Sequence, residues 1–425
     1  METEGVLMSQ VESKGGAQMY GLEGTPLERV ESLRSVIIDG GDRAQEMRRL
    51  PDDCVDVLVD AGMFRFTLPL ELGGEDATSI DTIEVLEAIS TIDASVGWNV
   101  MLGSEINAMA AGGMDKALAK EIYLDNPRVI MCGGGGTGSI PATAVRQPDG
   151  GFLVTGESTF LSGCWNSQWC LVPAPEVEEG QDFTQADPRT TRMRFMHRSE
   201  WEILDRWDVA GLRGSGSHTV KTERSRVLPE HADVDLFVTP PHFDNPVFRI
   251  PVPLRLSYNK VAIALGIARG ALDAFVELAH NKVPMLSPSK LKDRPIAQIR
   301  IAEFEGKYRA ARAYVMEAMS EVEDELAGGA EMPSAMTTQN ARLACVVATN
   351  MSMEVVDVVH NTAGTSAAYM ANPLERKLRD AHGAASHRWV SHSLYQDLGA
   401  IILGQDAPPE FAGTGGPGLG SRLRP

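Results

Sequence analysis

The sequence predicts a mainly α-helical protein with a β domain in the middle of the chain. Apolar residues recur at helical spacing before about residue 126 and again after about residue 252. Between these regions, short runs of β-branched and aromatic residues alternate with turn residues, a pattern typical of strands. With 425 residues, 43% of them hydrophobic and 23% charged, the chain is long enough for two or three domains and a large core.

A flexible tail and a helical domain are predicted for the first part of the chain. Residues 1–24 are rich in Gly, Ser and Glu and show no periodicity, which is typical of a mobile segment. Residues 25–126 form the predicted N-terminal helical domain. Apolar side chains repeat there at helix spacing, as at Val30, Leu33, Val36 and Ile37. Ile80–Met114 predicts two further helices with a break around Ala94–Gly97.

The β domain is predicted over residues 127–240. Gln147–Gly151 is a hairpin turn signal, because Asp and Gly tolerate the left-handed backbone of tight hairpins. Met193–His197 alternates like a strand. The run Gly133–Gly138 matches a dinucleotide-binding fingerprint, but that fingerprint requires a helix immediately afterwards, and Pro141 and the hairpin follow instead. A glycine-rich loop is therefore expected there.

A C-terminal four-helix bundle is predicted over residues 241–405, followed by a flexible Gly/Pro-rich tail over residues 406–425. Two long apolar stripes mark its first two helices. A third helix starts near Leu343, and a fourth runs from about Glu375 to Leu403. Amphipathic helices with short links favour a bundle.

The charge balance limits the classes of partner. The formal net charge is -19 and the pI is about 4.9, so the surface repels phosphate backbones and anionic lipids, and neither nucleic acid nor membrane partners are expected. The acidic start lacks a signal-peptide pattern, and no stretch approaches the length of a membrane span. The odd number of cysteines and the absence of C-x-x-C indicate reduced thiols in a cytoplasm. These cysteines are Cys54, Cys132, Cys164, Cys170 and Cys345.

No metal site is predicted. His382, His387 and His392 fall in the fourth predicted helix at spacings of five residues, which turns successive side chains about 140° apart. Side chains in that arrangement do not converge on one ion. The chain also contains neither H-E-x-x-H nor an EF-hand loop.

Five sets of residues carry a resemblance to a known family. They are Asp60-Ala-Gly-Met-Phe-Arg-Phe-Thr-Leu-Pro with Leu72-Gly-Gly; Asp93-Ala-Ser-Val-Gly-Trp98; Gly150-Gly-Phe-Leu-Val-Thr-Gly with Phe160-Leu-Ser-Gly163 and Trp169; Asp205-Arg-Trp-Asp-Val-Ala-Gly-Leu-Arg213-Gly-Ser-Gly-Ser217; and Pro373-Leu-Glu-Arg-Lys-Leu-Arg379-Asp380 with His387. In this order, over roughly residues 25–405, they resemble the acyl-CoA dehydrogenase superfamily, especially its two-component, reduced-flavin-dependent (group D) monooxygenase branch.

The resemblance implies an acyl-CoA dehydrogenase-like fold, with an N-terminal helical domain, a β-barrel-like domain and a C-terminal four-helix bundle. It also implies a homotetramer in which a neighbouring subunit completes the flavin site. By the family pattern, Ser162 lies near N5 of the flavin, while Gly163 and Trp169 supply a backbone donor and a flat wall. The alternative for Ser162 and Trp169 is an ordinary turn and core position in the β domain.

Further flavin contacts follow from the same resemblance. Arg213, Ser215 and Ser217 are candidates for holding the ribityl or phosphate part of the cofactor. Arg379 is a candidate for reaching the flavin across a subunit boundary. The alternatives are a surface ion pair for Arg213 and a structural ion pair between Arg379 and Asp380.

The resemblance also bears on catalysis. Acyl-CoA dehydrogenases need a carboxylate base, but both of its usual places, Ala381–Gln396 and Leu256–Leu272, contain no Asp or Glu. Where the carboxylate is expected, this chain has His387. An imidazole with a pKa near 6.5 both keeps a flavin peroxide protonated and assists deprotonation of a substrate. His387 is the first candidate for this role and His382 the second, with packing or capping as the alternative.

The sequence thus predicts a two-component flavin-dependent monooxygenase that uses FMNH2 or FADH2 and O2, through a C4a-hydroperoxyflavin, to hydroxylate an aromatic or polycyclic small molecule. A separate flavin reductase supplies the reduced flavin. Trp98, Asn99 and Glu105 lie in the helix pair that resembles the substrate-pocket wall, with a core role as the alternative. Three other functions stay open: an acyl-CoA dehydrogenase or oxidase with a relocated base, an N- or S-oxygenase on the same scaffold, and a flavin-free binding protein.

Overall fold

The computed structural model describes residues 21–138, 140–232, 234 and 242–405. The helices before the strands are α1 (Pro26–Ser32), α2 (Arg34–Met47), α3 (Asp52–Asp60), α4 (Ser79–Ile92), α5 (Ala94–Gly113) and α6 (Lys116–Asp125). The strands are β1 (Met131–Gly133), β2 (Gly136–Thr137), β3 (Thr143–Arg146), β4 (Phe152–Leu161), β5 (Trp169–Ala174), β6 (Glu176–Val177), β7 (Arg192–His197), β8 (Glu202–Leu204) and β9 (His218–Val227). The helices after them are α7 (Val252–Asn281), α8 (Pro295–Ala327), α9 (Ala335–Ala363), α10 (Pro373–Ala385) and α11 (Leu394–Ile402).

The predicted fold class, mainly α with a β middle segment, is confirmed. The predicted tail at 406–425, most of the tail at 1–24 and the predicted domain boundary at residue 240 lie outside the described residues. The domain limits stay predictions.

Local signals in the sequence explain where several elements begin. The side chains of Thr25 and Thr78 each accept a hydrogen bond from the backbone of the residue three positions later, and each threonine backbone N–H donates to the acidic side chain of that residue. Such capping boxes satisfy backbone N–H groups that have no helical partner. The helices predicted within Ile80–Met114 are present as α4 and α5, and Asp93 separates them.

The strands form two sheets. One has the order β1-β5-β7, and the other has the order β6-β3-β4-β9-β8 with β2 added beside β4. The hairpin predicted at Gln147–Gly151 is confirmed: the backbone N–H of Gln147 donates to the Gly151 carbonyl at 2.8 Å, and Gly150 has a left-handed φ of 95°. The glycine-rich run leads into β2, which pairs antiparallel with β4, instead of into a helix.

The prediction of one fourth helix from about Glu375 to Leu403 is wrong, because α10 ends at Ala385 and α11 begins only at Leu394. The Ser386 hydroxyl donates to the His382 carbonyl at 2.8 Å, and the chain then turns. His387 and His392 consequently lie in the turn segment between the two helices. The helical-spacing argument for the three histidines does not hold.

The chain divides into two compact units. The first comprises the described residues up to Ala77, Asn99–Asp208 and Arg213–Phe248, and the second comprises Thr78–Trp98, Val209–Leu212 and the described residues from Arg249 onward. In the first unit, the β sheets enclose an apolar core that contains Cys132, Cys164 and Cys170. The five cysteines all lie among the described residues, where they are buried and form no disulfide.

In the second unit, the long helices α7, α8 and α9 pack together, and α4 packs on α7. Glu87 of α4 is buried and accepts hydrogen bonds from the Tyr308 hydroxyl at 2.5 Å and from Nε of Arg312 at 2.8 Å. Glu84 also pairs with Arg312, at 3.1 Å. This charged network joins α4 to α8.

The helix α9, with the turn after it, is long and apolar enough by length and composition to cross a membrane, contrary to the expectation from the sequence. Half of its most apolar stretch is buried inside the protein. That burial is typical of the core helix of a bundle.

Candidate functional site

The strand pair β4–β9 brings the two predicted flavin segments of the first unit together. Leu161 at the end of β4 is the register partner of His218 at the start of β9. The segment after β4 therefore lies beside the segment before β9. The first carries Ser162 and Gly163, and the second carries Ser215 and Ser217.

Three hydroxyl groups form a buried chain between these segments. The Ser162 Oγ lies 2.6 Å from the Ser217 Oγ, which lies 2.7 Å from the Ser215 Oγ. Each serine is at most 6% exposed. The backbone N–H of Gly163 also donates to the Ser215 carbonyl at 3.0 Å. The structure thus brings together four of the residues that the sequence assigned to the flavin.

Gly163 and Asn99 fix the shape of this cluster. Gly163 has a left-handed φ of 71°, and a Cβ there would lie 3.1 Å from the Asn99 Oδ1. The Asn99 side chain, 5% exposed, donates from Nδ2 to the Gly214 carbonyl at 3.1 Å. Asn99, predicted as a substrate contact, thus bonds to the backbone of a flavin segment.

A small, partly enclosed pocket with a volume of about 10 Å³ adjoins the serine cluster within the first unit. Ser162, Gly163 and Asn99 contribute to its wall. The apolar part of the wall consists of Val55, Phe64, Ile130 and Met131. The pocket combines a polar edge with an apolar face, a combination typical of cofactor and ligand sites.

Trp169 and Arg213 have other contacts in the first unit. Trp169 stacks on Phe195 with ring centroids 4.4 Å apart, and two imidazole rings, those of His197 and His231, meet its edges. Arg213 pairs with Asp208 at 3.1 Å and donates from Nε to the Gln45 carbonyl. These contacts favour the structural alternatives for both residues. Glu105, the third predicted substrate contact, is 5% exposed on α5.

In the second unit, His387 lies in the turn after α10 and contacts Trp98. The two rings meet edge to face with centroids 5.7 Å apart. The backbone N–H of Trp389 donates to Nδ1 of His387 at 3.4 Å. Nδ1 is therefore an acceptor, and the neutral ring carries its proton on Nε2.

The expected pKa of His387 near 6.5 is wrong. Burial, together with the nearby ammonium group of Lys260, lowers its pKa to about 3. The ring is consequently neutral at pH 7 and presents an Nε2–H donor. This arrangement suits a hydrogen bond to a substrate or cofactor oxygen better than reversible protonation near neutral pH.

Lys260 was missed in the sequence, although it is buried to 1% exposure on α7. The available signal was a lysine directly before the apolar run Val261–Leu265, a position where the helix is expected to be buried. One turn earlier, the Ser257 hydroxyl donates to the Trp389 carbonyl at 2.8 Å. Ser257 thereby holds the turn that carries His387 against α7.

His382 and Arg379 have structural partners in the second unit. His382 is exposed, and its Nε2 lies 2.9 Å from the Asp357 carboxylate. Arg379 pairs with Glu375 one helical turn earlier at 2.7 Å, instead of with Asp380. Adjacent helix residues point about 100° apart, which explains why the predicted pair with Asp380 is wrong.

Asp380 instead accepts from the backbone N–H of Leu212 at 2.6 Å, and burial raises its pKa to about 6. Gly211 lies directly against α10, because a Cβ at this position would fall 2.0 Å from the Arg379 carbonyl oxygen. This approach requires glycine. The Arg379–Asp380 region therefore anchors the Val209–Leu212 segment.

The lowered pKa of His387 predicts acid-sensitive stability. Between about pH 6.5 and pH 3 the unfolded chain binds this proton and the folded chain does not, so stability is complete above the unfolded pKa and falls as the pH drops. When the pH falls from about 6.5 to 4, protonation of His387 in the unfolded chain should lower the free energy of unfolding by roughly 2–3 kcal/mol. Denaturant unfolding of the native chain and of His387→Gln across this range measures the difference. If the free energy of unfolding depended on pH equally in the native chain and in His387→Gln, the prediction would be contradicted.

Comparisons with known proteins show what the chain is similar to. The family model described as "Acyl-CoA dehydrogenase, C-terminal domain" matches residues 259–392. An indole-3-acetate monooxygenase from Pseudomonas putida is 28% identical over 384 residues, covering 88% of this chain and 94% of that protein. The flavin-dependent monooxygenase, oxygenase subunit HsaA, from Mycobacterium tuberculosis is 28% identical and covers 85% of this chain and 90% of its own length. The crystal structure of the HsaA monooxygenase from M. tuberculosis superposes with a TM-score of 0.78 at 26% identity, covering 91% of this chain and 99% of that one.

The fold and the similarities define a flavin-dependent oxidoreductase of acyl-CoA dehydrogenase-like fold. It is a flavin-dependent monooxygenase that acts on a small molecule. Residues 259–392 are similar to the C-terminal domain of the acyl-CoA dehydrogenases, and the similarities over most of the chain are to flavin-dependent monooxygenases.

Proposed function

We propose that the chain hydroxylates an aromatic or fused-ring small molecule with O2 and reduced FMN or FAD. The observation that carries the proposal is the buried cluster of Ser162, Gly163, Ser215 and Ser217. It offers hydroxyl and backbone groups beside a pocket with an apolar face, the set of groups that a flavin ring requires. The indole-containing substrate in the name of the P. putida relative supports an aromatic substrate.

The candidate site residues have different roles in the proposed reaction. Ser162 would hold the flavin ring at N5, and Ser215 and Ser217 would support that contact. The reduced flavin supplies electrons and activates O2. His387 donates a hydrogen bond from Nε2 to a reacting oxygen, and the edge of Trp98 fixes the plane of its ring. Exclusion of water from the bound flavin would prevent loss of the activated oxygen as H2O2.

An acyl-CoA dehydrogenase activity has less support. Ala381–Gln396, which includes the end of α10 and the turn after it, contains no Asp or Glu. A neutral imidazole whose pKa is about 3 is too weak a base to remove a proton next to a thioester. The choice between carbon, nitrogen and sulfur as the oxygenated atom depends on the substrate.

We also propose a homotetramer located in the cytoplasm. The second unit exposes apolar side chains that a second copy of the chain would cover: Val283, Met285, Leu286, Tyr369 and Met370. Large apolar side chains that are this exposed are a feature that a subunit interface would cover. The free state of all five thiols agrees with a reducing compartment.

The experiment that tests the function is anaerobic mixing of the protein with chemically reduced FMN or FAD, followed by oxygenated buffer. We expect the protein to delay the return of oxidised-flavin absorbance at least about tenfold relative to free flavin, because a dry site protects the activated oxygen. The flavin that gives the longer delay is the cofactor. Ser162→Ala should shorten the delay, and the exposed variant Ser393→Ala serves as its control. A return at the free-solution rate with both flavins would contradict the proposal.

A further inference from the structure

We infer that Ser217 is a positioning residue that lets the Ser162 hydroxyl reverse its hydrogen-bond direction, so that one site accommodates both the oxidised and the reduced flavin. The inference rests on the proposed function, because it assumes that Ser162 contacts the flavin. It assigns to Ser217 a role in the redox preference of the site, instead of a role in holding the ribityl or phosphate part.

The geometry makes the hydroxyl chain reversible. Ser217 lies between Ser162 and Ser215 at 2.6 Å and 2.7 Å, and in each contact either oxygen can be the donor. A hydroxyl group has one proton and two lone pairs, so the central serine can donate to one neighbour while it accepts from the other. The row of three hydroxyl groups is buried, with Ser215 only 1% exposed, so bulk water does not readily replace these contacts.

The oxidised and the reduced flavin require opposite directions of the hydrogen bond between N5 and the Ser162 hydroxyl. N5 of an oxidised flavin has a lone pair and accepts, whereas N5 of a reduced flavin carries a proton and donates. With oxidised flavin, Ser162 donates to N5 and accepts from Ser217. With reduced flavin, Ser162 accepts from N5–H and donates its own proton to Ser217. Only rotations of O–H bonds separate the two arrangements, and no proton changes its oxygen.

The two directions do not depend equally on Ser217. In the oxidised direction, loss of the Ser217 oxygen leaves a lone pair of Ser162 less satisfied. In the reduced direction, the same loss removes the acceptor of the Ser162 proton, a hydroxyl oxygen that lies 2.6 Å from the Ser162 Oγ. A buried donor deprived of an acceptor costs more than an under-used lone pair. Ser217→Ala should therefore weaken reduced-flavin binding more than oxidised-flavin binding.

The test measures dissociation constants for both redox states of the flavin by anaerobic and aerobic titration of the full chain. For Ser217→Ala we expect about a tenfold rise in the constant for reduced flavin and less than about a threefold rise for oxidised flavin. A tenfold change in their ratio makes the midpoint potential of the bound flavin about 30 mV more negative. Ser217→Thr keeps the hydroxyl and should restore the native ratio.

Ser225→Ala is the matched control. Ser225 is a 5%-exposed serine on β9, the strand that begins directly after Ser217, and its hydroxyl accepts from the Glu223 backbone outside the chain of three hydroxyl groups. If Ser217→Ala and Ser225→Ala leave the ratio equally unchanged while the native chain binds flavin, the inference is wrong and the proposed function stands. If the native chain binds neither redox state, the proposed function itself fails. Ser215→Ala, which should shift the ratio in the same direction but less, decides the case if Ser217→Ala does not fold.

Discussion

Replacing His387 with alanine is expected to lower coupled hydroxylation about 100-fold, while flavin reoxidation continues and releases H2O2. The neutral ring presents one donor, Nε2–H, because Nδ1 accepts from the Trp389 backbone. Removing a positioned group that assists proton transfer typically costs about 10²–10⁴ in rate. Product formation and H2O2 release per reduced flavin, measured together, give the coupling ratio.

Two substitutions at the same position separate chemistry from packing. The amide nitrogen of glutamine reaches the place of Nε2, whereas that of asparagine reaches only the place of Nδ1. His387→Gln should therefore retain coupling within about tenfold, and His387→Asn should behave like His387→Ala. His382→Ala is the control, since that ring is 52% exposed and bound to Asp357. Native coupling in His387→Ala would remove His387 from the mechanism.

Replacing Glu87 with alanine is expected to destabilise the protein by about 3–5 kcal/mol. Its buried carboxylate accepts from Tyr308 and from Arg312, and the substitution leaves both donors without this acceptor. Burial and the Glu87 carboxylate already raise the pKa of Tyr308, so its hydroxyl stays protonated and needs an acceptor. Denaturant unfolding followed by helical circular dichroism measures the loss.

Two further variants calibrate the Glu87 result. Glu87→Gln keeps an acceptor for Tyr308 but removes the charge opposite Arg312, so it should cost about half as much. Glu303→Ala removes an exposed carboxylate that pairs with Arg300 on the same helix, α8, and should cost less than about 1 kcal/mol. Equal losses for Glu87→Ala and Glu303→Ala would show that the α4–α8 network contributes no special stability.

Much of the fold was predictable because the signals are local. The hairpin at Gln147–Gly151 depends on residues that tolerate one backbone conformation, and the break at Asp93 depends on a short interruption of helical spacing. The end of α10 at Ala385 was not predictable in the same way. No Pro or Gly marks the segment Ser386–Ser393, and the turn depends on the side chain of Ser386 and on anchoring by Ser257 of another helix.

The candidate site was predictable as a set of residues but not as a set of interactions. The order of segments along the chain indicated Ser162, Ser215 and Ser217, and the β4–β9 register brings them together. The pKa of His387 depends on burial and on Lys260, a residue 127 positions earlier in the chain. Such long-range effects leave no local pattern in a single sequence.

The burial of all five thiols affects which residues of the enzyme are oxidised by peroxide. A monooxygenase that loses coupling generates peroxide in its own surroundings, and peroxide attacks accessible thiolates and thioethers first. Burial raises the pKa of Cys132, Cys164, Cys170 and Cys345, so these sulfurs stay protonated and shielded. Among the described methionines, the most exposed are Met285, Met336 and Met370, whose residues are 92%, 79% and 76% exposed. Oxidative damage should therefore accumulate as methionine sulfoxide on the surface of the second unit, a lesion that reductases can repair, while the thiols inside the β sheets stay intact.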